Sequence, residues 1–315
     1  MYHLPTSKCL QVFVGHECNG ESGGVTNGSF SPNGKFALTV GMDGTLRIWT
    51  PRTGLCRHVF RLIDGGAAQQ QQGLTCLGVN GGRDGQLAIT GGENGNAYVV
   101  HIQGKKLVAV LPHFDIESSI SATSPPSSSS SKNNGMEEDE EDDAVTLATS
   151  VESVAFAPVA VNPSWAVTGG SDGKLKIWDL THGGDGGSAQ CRQVCSLQQQ
   201  GCGVTRIVWH PTLPLIFSSY SDGSVRLWDA RDGTLLHFLT TTGSKETSSG
   251  SGGDGEGDYQ INDMFIEPIT VSCNNEKGGD FLVVAGLDDG TIKVFRIDVE
   301  KAIVDNERRK IHSSS

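Results

Sequence analysis

The stretches GMDGTLRIW (41–49), GENGNAYVV (92–100), GSDGKLKIW (170–178), YSDGSVRLW (220–228) and LDDGTIKVF (287–295) spell one unit five times. Each is a strand end, an Asp-Gly or Asn-Gly turn, and a strand alternating apolar and polar residues up to an aromatic or β-branched stop. Both dipeptides suit the positive φ angles of a two-residue hairpin turn. A hairpin of this kind cannot bury its apolar face alone, so copies must stack. Stacking around an axis predicts an all-β fold, a β-propeller.

The pattern extends outward from each turn. The strands stop at Trp49, Val100, Trp178, Trp228 and Phe295, at intervals of 51, 78, 50 and 67 residues. A four-stranded repeat of this class needs about 40–45 residues, so every interval carries extra loop. Before each turn runs a strand holding a small hydroxyl residue at Thr39, Thr90, Thr168 and Ser218, with Ala285 in the fifth copy. Further upstream come VTNGSFSPNG (25–34), VESVAFAP (151–158), VTRIVWHP (204–211) and INDMFIEP (261–268). Three of these strands run straight into a Pro, which has no N–H to donate and suits a strand exit. RTGLCRHVF (52–60) and RDGTLLHFL (231–239) read as fourth strands.

This order resembles the WD40 repeat, with Trp-Asp pairs at Trp178-Asp179 and Trp228-Asp229 and a Gly-His at Gly15-His16. The resemblance implies five full four-stranded blades plus a partial first blade, in an incomplete or open ring. The boundaries are a remnant at 1–16, blades at 17–61, 62–112, 151–198, 199–242 and 259–300, insertions at 113–150 and 243–258, and a tail at 301–315. Because 1–16 resembles the end of a third strand, a turn and a fourth strand, the chain opens mid-blade. N-terminal truncation is the favoured expectation and an unusual closure the alternative. The resemblance also implies a buried network in the first blade: Asp43 accepts from His16, which reaches Thr39 and Trp49. Thr168, Asp172 and Trp178, Ser218, Asp222 and Trp228, and Asp289 continue it in later blades. Those blades lack the His, and one carries Asn94, so their networks are expected to be incomplete.

Composition narrows the function. The net charge is −12, and seven of the negative charges form one run, EEDEEDD (137–143). Such a balance disfavours direct nucleic-acid binding, which needs clustered Lys and Arg, and favours a basic partner. No apolar run approaches the roughly 20 residues of a membrane span. The eight cysteines show no paired Cys-x-x-Cys spacing, and Cys191, Cys195 and Cys202 have no His at ligand spacing, so no metal is expected. Reduced thiols point to the cytoplasm, with the nucleus as an alternative. Both insertions are Ser-, Gly- or acid-rich with few apolar residues, too few to offset ordering. Both follow a fourth strand and so leave one face of the propeller. They read as solvated loops, or, for the acidic run, as a mobile second contact for a basic ligand.

No nucleophile elbow, H-E-x-x-H or Gly-Lys-Ser/Thr phosphate loop occurs, and His101, His113, His182, His210 and His237 are scattered. A non-enzymatic chain without cofactor is the reading. In WD40 proteins partner contacts often come from the residue before the turn Asp and from the start of the first strand. Here these are Met42, Glu93, Ser171, Ser221 and Asp288, and Thr26, Thr75, Glu152, Thr205 and Asn262. Glu93, Glu152, Asn262 and Asp288 are the candidate partner-binding rim for a basic protein or peptide; the plainer reading makes the three acids solvated rim charges.

GKFALTVGMDGTLRIWTPRTGLC (34–56), GVTRIVWHPTLPLIFSSYSDGSVRLWDARDGTLL (203–236) and AGLDDGTIKVFRI (285–297) resemble the angio-associated migratory cell protein family, as does the acidic, Ser-rich insert before Val151. That family is similar to a fungal chaperone dedicated to a basic large-subunit ribosomal protein. The resemblance implies an eight-bladed full-length propeller, of which this chain would lack roughly three blades, and a chaperone or assembly role in ribosome biogenesis. A signalling or cell-migration scaffold with a non-ribosomal partner is the alternative.

Overall fold

The computed structural model describes residues 2–3, 8–17, 24–63, 72–81, 86–114, 150–181, 189–197, 202–240, 260–268 and 280–313. Both expected insertions lie outside the described residues, apart from the ends of the first. A small hairpin, β1 (Tyr2–His3) with β2 (Lys8–Cys9), opens the chain. Five antiparallel sheets then follow in strict chain order. The first is β3 (Val25–Phe30), β4 (Ala37–Gly41), β5 (Thr45–Trp49) and β6 (Cys56–Arg61). The second is β7 (Leu74–Val79), β8 (Leu87–Gly92), β9 (Asn96–His101) and β10 (Lys106–Pro112). The third is β11 (Val151–Phe156), β12 (Trp165–Gly170), β13 (Leu175–Asp179) and β14 (Gln190–Cys195), and the fourth β15 (Val204–Trp209), β16 (Leu215–Tyr220), β17 (Ser224–Asp229) and β18 (Leu235–Thr240).

The fifth sheet departs from the expected four strands. Among the described residues it holds three, β19 (Ile261–Pro268), β20 (Asp280–Leu287) and β21 (Ile292–Asp298), and the chain then enters helix α1 (Val299–Ser313). Asp298 caps that helix, its Oδ1 accepting from the Lys301 N–H at 2.8 Å. Val299, Ala302 and Ile303 follow helical spacing and pack into the core between the fourth and fifth sheets. The tail is therefore an amphipathic helix standing where a fourth strand would follow.

Each of the five turns differs from a two-residue hairpin. In the first, the Gly44 N–H donates to the Gly41 carbonyl at 3.2 Å, and Gly44 alone takes a positive φ, 66°. Asp43 keeps a negative φ, and its Oδ1 accepts from the Thr45 N–H at 3.1 Å. Asn94, Asp172, Asp222 and Asp289 make the same bond two residues on. The side chain must curl over its own backbone to do so, which fixes the acid as well as the glycine.

The first strands pack on one another in sequence: β3 on β7, β7 on β11, β11 on β15 and β15 on β19. Four apolar clusters fill the four seams between successive sheets. Leu38, Val40, Leu46 and Ile48 of the first sheet, for instance, meet Leu74, Leu77 and Ala88 of the second. The two ends of the array are different. Residues 9–17 run across the outer face of the first sheet, setting the Phe13 ring 5.5 Å from that of Trp49. At the other end, cross-strand partners Phe265, Val284 and Val294 share the outer face of the fifth sheet, and Phe265 and Val294 are 61 % and 59 % exposed.

Candidate functional site

One rim of the array carries the Asp-Gly and Asn-Gly turns and the described ends of the connections from each sheet to the next. The buried networks beneath it set its shape. In the first sheet the His16 ring bridges the Asp43 carboxylate, 3.0 Å from Nδ1, and the Thr39 hydroxyl, 2.7 Å from Nε2. The Trp49 indole N–H donates to the same hydroxyl at 2.8 Å. Thr45 donates to Asp43 at 2.7 Å and Arg47 pairs with it at 3.4 Å. Burial raises the Asp43 pKa, but the bonds from Thr45, the Glu17 N–H and His16 outweigh it and hold the carboxyl below its ordinary value.

The third sheet has a His after all, and it corrects the expectation that only the first does. His113, placed by sequence in the insertion, sits fully buried with Nδ1 2.8 Å from the Thr168 hydroxyl and Nε2 3.3 Å from Asp172. Trp178 donates to Thr168 at 2.9 Å, completing the arrangement of the first sheet. For Asp172 too, burial raises the pKa but the His113 bond and charge and the Lys174 contacts bring it below normal. Glycine makes room for both imidazoles. A Cβ on Gly41 would stand 2.9 Å from His16 Nδ1, and one on Gly170 only 2.5 Å from His113 Nε2.

The fourth sheet reaches the same end without a His. Tyr220 holds the position of Gly41 and Gly170, and its hydroxyl accepts from Ser218 at 3.3 Å while Ser218 accepts from the Trp228 indole at 2.8 Å. Arg226 lies 3.6 Å over the Tyr220 ring and donates to Asp222 at 2.9 Å. In the second sheet, Ile63 takes the place of the His against Gly92, and Asn94 donates to the Tyr98 hydroxyl at 2.6 Å. In the fifth, Asp289 is exposed and bonded to Thr291, with no Thr or Trp to extend the chain of bonds.

Above these networks the first strand of every sheet is bulged at its second residue: Thr26, Thr75, Glu152, Thr205 and Asn262. A bulge leaves one residue outside the ladder and re-aims its side chain. The threonines spend that freedom internally. Thr26 donates to the Leu74 carbonyl of the next sheet at 2.5 Å, Thr75 to the Val151 carbonyl, and Thr205 bonds Ser219 at 2.8 Å. Glu152 and Asn262 are instead exposed. Glu152 accepts from Ser150, while Asp263 beside Asn262 pairs with Arg206 at 3.1 Å. Asp288 is exposed on its turn, whereas the half-buried Glu93 accepts from the Gly73 N–H at 2.6 Å. Glu93 is thus partly committed to holding its own loop.

No group of three or more His, Cys, Asp or Glu able to hold a metal occurs among the described residues. Burial pushes the Cys76 and Cys195 thiols up to about 12, which suits packing rather than reactivity. His101 bonds Gln86 at 2.8 Å, and His210 is buried against Phe281; His182 lies outside the described residues. No described helix is long and apolar enough to cross a membrane.

A family model described as "WD domain, G-beta repeat" matches residues 7–50, 146–179 and 191–229. Those segments are WD40 repeats. The chain is homologous to human angio-associated migratory cell protein, with 31 % identity over 236 residues, covering 75 % of this chain and 45 % of that protein. The chain thus spans about half the length of the curated relative it matches. A shorter match, 34 % over 87 residues, covers 28 % of the chain and 10 % of the ribosome biogenesis protein ERB1 of Yarrowia lipolytica. The fold is that of crystalline Saccharomyces cerevisiae Sqt1, with a TM-score of 0.60 and 15 % identity over 87 % of this chain and 60 % of that one. The architecture is that of WD40 propellers.

Proposed function

We propose that this chain is a non-catalytic binding platform that holds a basic large-subunit ribosomal protein during ribosome assembly, in the cytoplasm with access to the nucleus. The observation that carries the reading is the break in the bulge series. Where three blades turn a threonine inward, Glu152 and Asn262 face solvent, with Asp263 and Asp288 beside Asn262 on the same rim. Carboxylates on a rigid rim attract a basic partner and speed its capture. The relationship to angio-associated migratory cell protein, and the partial match to a protein named for ribosome biogenesis, support the ribosomal version. The test is binding of purified basic large-subunit ribosomal proteins to the whole chain. Glu152→Lys with Asp288→Lys is expected to weaken capture at least tenfold, and raising salt to do the same. Binding that ignores both changes would sink the proposal.

A second reading rests on the apolar outer face of the fifth sheet, where Phe265, Ile292 and Val294 are exposed. A signalling or cell-migration scaffold engaging a partner there would bind independently of salt and would lose that partner on Phe265→Lys.

A further inference from the structure

The opposite rim carries a different chemistry. At the seam of the first two sheets a cleft of about 310 Å³ is lined by Lys35, Phe36, Ile48, Arg57, Ile102, Gln103 and Lys105. Three cations from two connections and a strand converge on it: Lys35 between β3 and β4, Arg57 at the start of β6, and Lys105 between β9 and β10. No carboxylate lines the cleft, and among the described residues none pairs with any of the three. In a chain of net charge −12 this is a local reversal of sign. Its floor is apolar, made by Phe36 and the buried Ile48 and Ile102. Arg57 is oriented, its Nε donating to the Thr50 hydroxyl at 2.7 Å, which leaves the terminal nitrogens for a ligand.

Lys105 supplies a second, independent observation. Its φ of 51° makes it the only described non-glycine residue in the left-handed region. The third-to-fourth strand turns of the first and fourth sheets place Gly54 and Gly233 at the equivalent position, five residues past the Trp, with φ of 69° and 73°. A lysine therefore occupies a glycine slot, and it does so where its ammonium joins two other cations. Backbone strain of this kind persists mainly where a side chain is needed.

We propose that this cleft binds a small organic phosphate. The phosphoryl group is held by Lys35, Arg57 and Lys105, and an apolar or aromatic body lies on Phe36, Ile48 and Ile102. The cavity matches the lower end of the range for small-molecule sites, and cations paired with an apolar floor distinguish a phosphate ester from the bare ion. The site is independent of the acidic rim, so either can fail alone.

Phenyl phosphate is the probe, titrated into the whole chain by saturation-transfer NMR. Saturable binding is expected with strong saturation of the ring protons, and benzyl alcohol should bind at least tenfold more weakly. Lys105→Gly is the decisive variant, because it relieves strain while removing a charge. It should lower phenyl phosphate affinity about fivefold with the thermal midpoint unchanged or raised. Lys35→Glu with Arg57→Glu should abolish binding, and Glu152→Lys should leave it intact. Vesicles of phosphatidylcholine containing phosphatidylinositol 4-phosphate separate the two sources of such a group. Sedimentation of the chain with them, lost in Lys105→Gly, assigns the phosphate to a lipid headgroup; binding of phenyl phosphate alone assigns it to a soluble ester. Equal binding of benzyl alcohol, or an unchanged affinity in Lys105→Gly, overturns the proposal.

Discussion

His113 joins a hydroxyl and a carboxylate that lie 55 and 59 residues further along the chain. Removing the ring leaves Thr168 and Asp172 short of partners in a buried site, so His113→Ala is expected to destabilise by about 2 kcal/mol. The exposed His237→Ala should change the urea midpoint by less than about 0.5 kcal/mol equivalent. His210 sets a pH response of a different kind. Its Nδ1 accepts from the Thr212 and Leu213 N–H groups at 3.2 and 3.0 Å, and burial lowers its pKa from 6.5 to about 4. Between those values the unfolded chain binds a proton that the folded chain refuses, so stability falls as pH drops from 6.5 towards 4. The effect is on the order of 2–3 kcal/mol. Asp43, Asp172 and Asp222, all held below their ordinary values, add a second loss that begins below about pH 4. Urea midpoints measured from pH 7 to 4 should slope downward in the parent and lie flatter in His210→Phe, at some loss of stability at neutral pH.

Secondary-structure elements differ in how much of them the sequence disclosed. The turn acids and the indoles of Trp49, Trp178 and Trp228 are local signals: each sits at a fixed distance from a glycine, and the sheets form where they predict. His113 was hidden because its signal is a register, LPH (111–113) against VGH (14–16), interrupted from its blade by the long insertion. Lys105 was hidden because Gln103-Gly104-Lys105 invites the glycine to take the left-handed position, while the strand register puts Lys105 there. Helix α1 was concealed by the repeat itself, since four earlier sheets end in a fourth strand. Its sequence states otherwise through the cap at Asp298 and the apolar spacing of 299, 302 and 303. Asp298→Ala is expected to lower stability by about 1 kcal/mol, with the loss confined to the seam of the last two sheets in hydrogen exchange.

For the whole molecule, the array behaves as a line of sheets in which each contacts its neighbours. Stability is then a sum of seams, and the four seams need not melt together. The terminal faces are the weak points. The outer face of the fifth sheet leaves Phe265, Ile292 and Val294 exposed, and among the described residues β21 pairs only with β20. Free edges and apolar faces invite association. Sedimentation velocity of the chain by itself should show concentration-dependent growth, and Phe265→Lys with Val294→Lys should suppress it without lowering the thermal midpoint. Growth that persists in that variant would point to the other end, where Leu10, Val12 and Val14 are exposed.

The residue two positions before each turn acid has an evolutionary consequence. Gly41, Gly92 and Gly170 each accept a bulky side chain from the preceding connection, whereas Tyr220 and Leu287 bring the bulk themselves. Moving from one solution to the other takes two changes. Either change alone leaves a hole or a collision at the base of the blade. Blades of this chain's descendants should therefore exchange these residues in pairs, and a designer recombining blades must carry both halves of the lock across the junction.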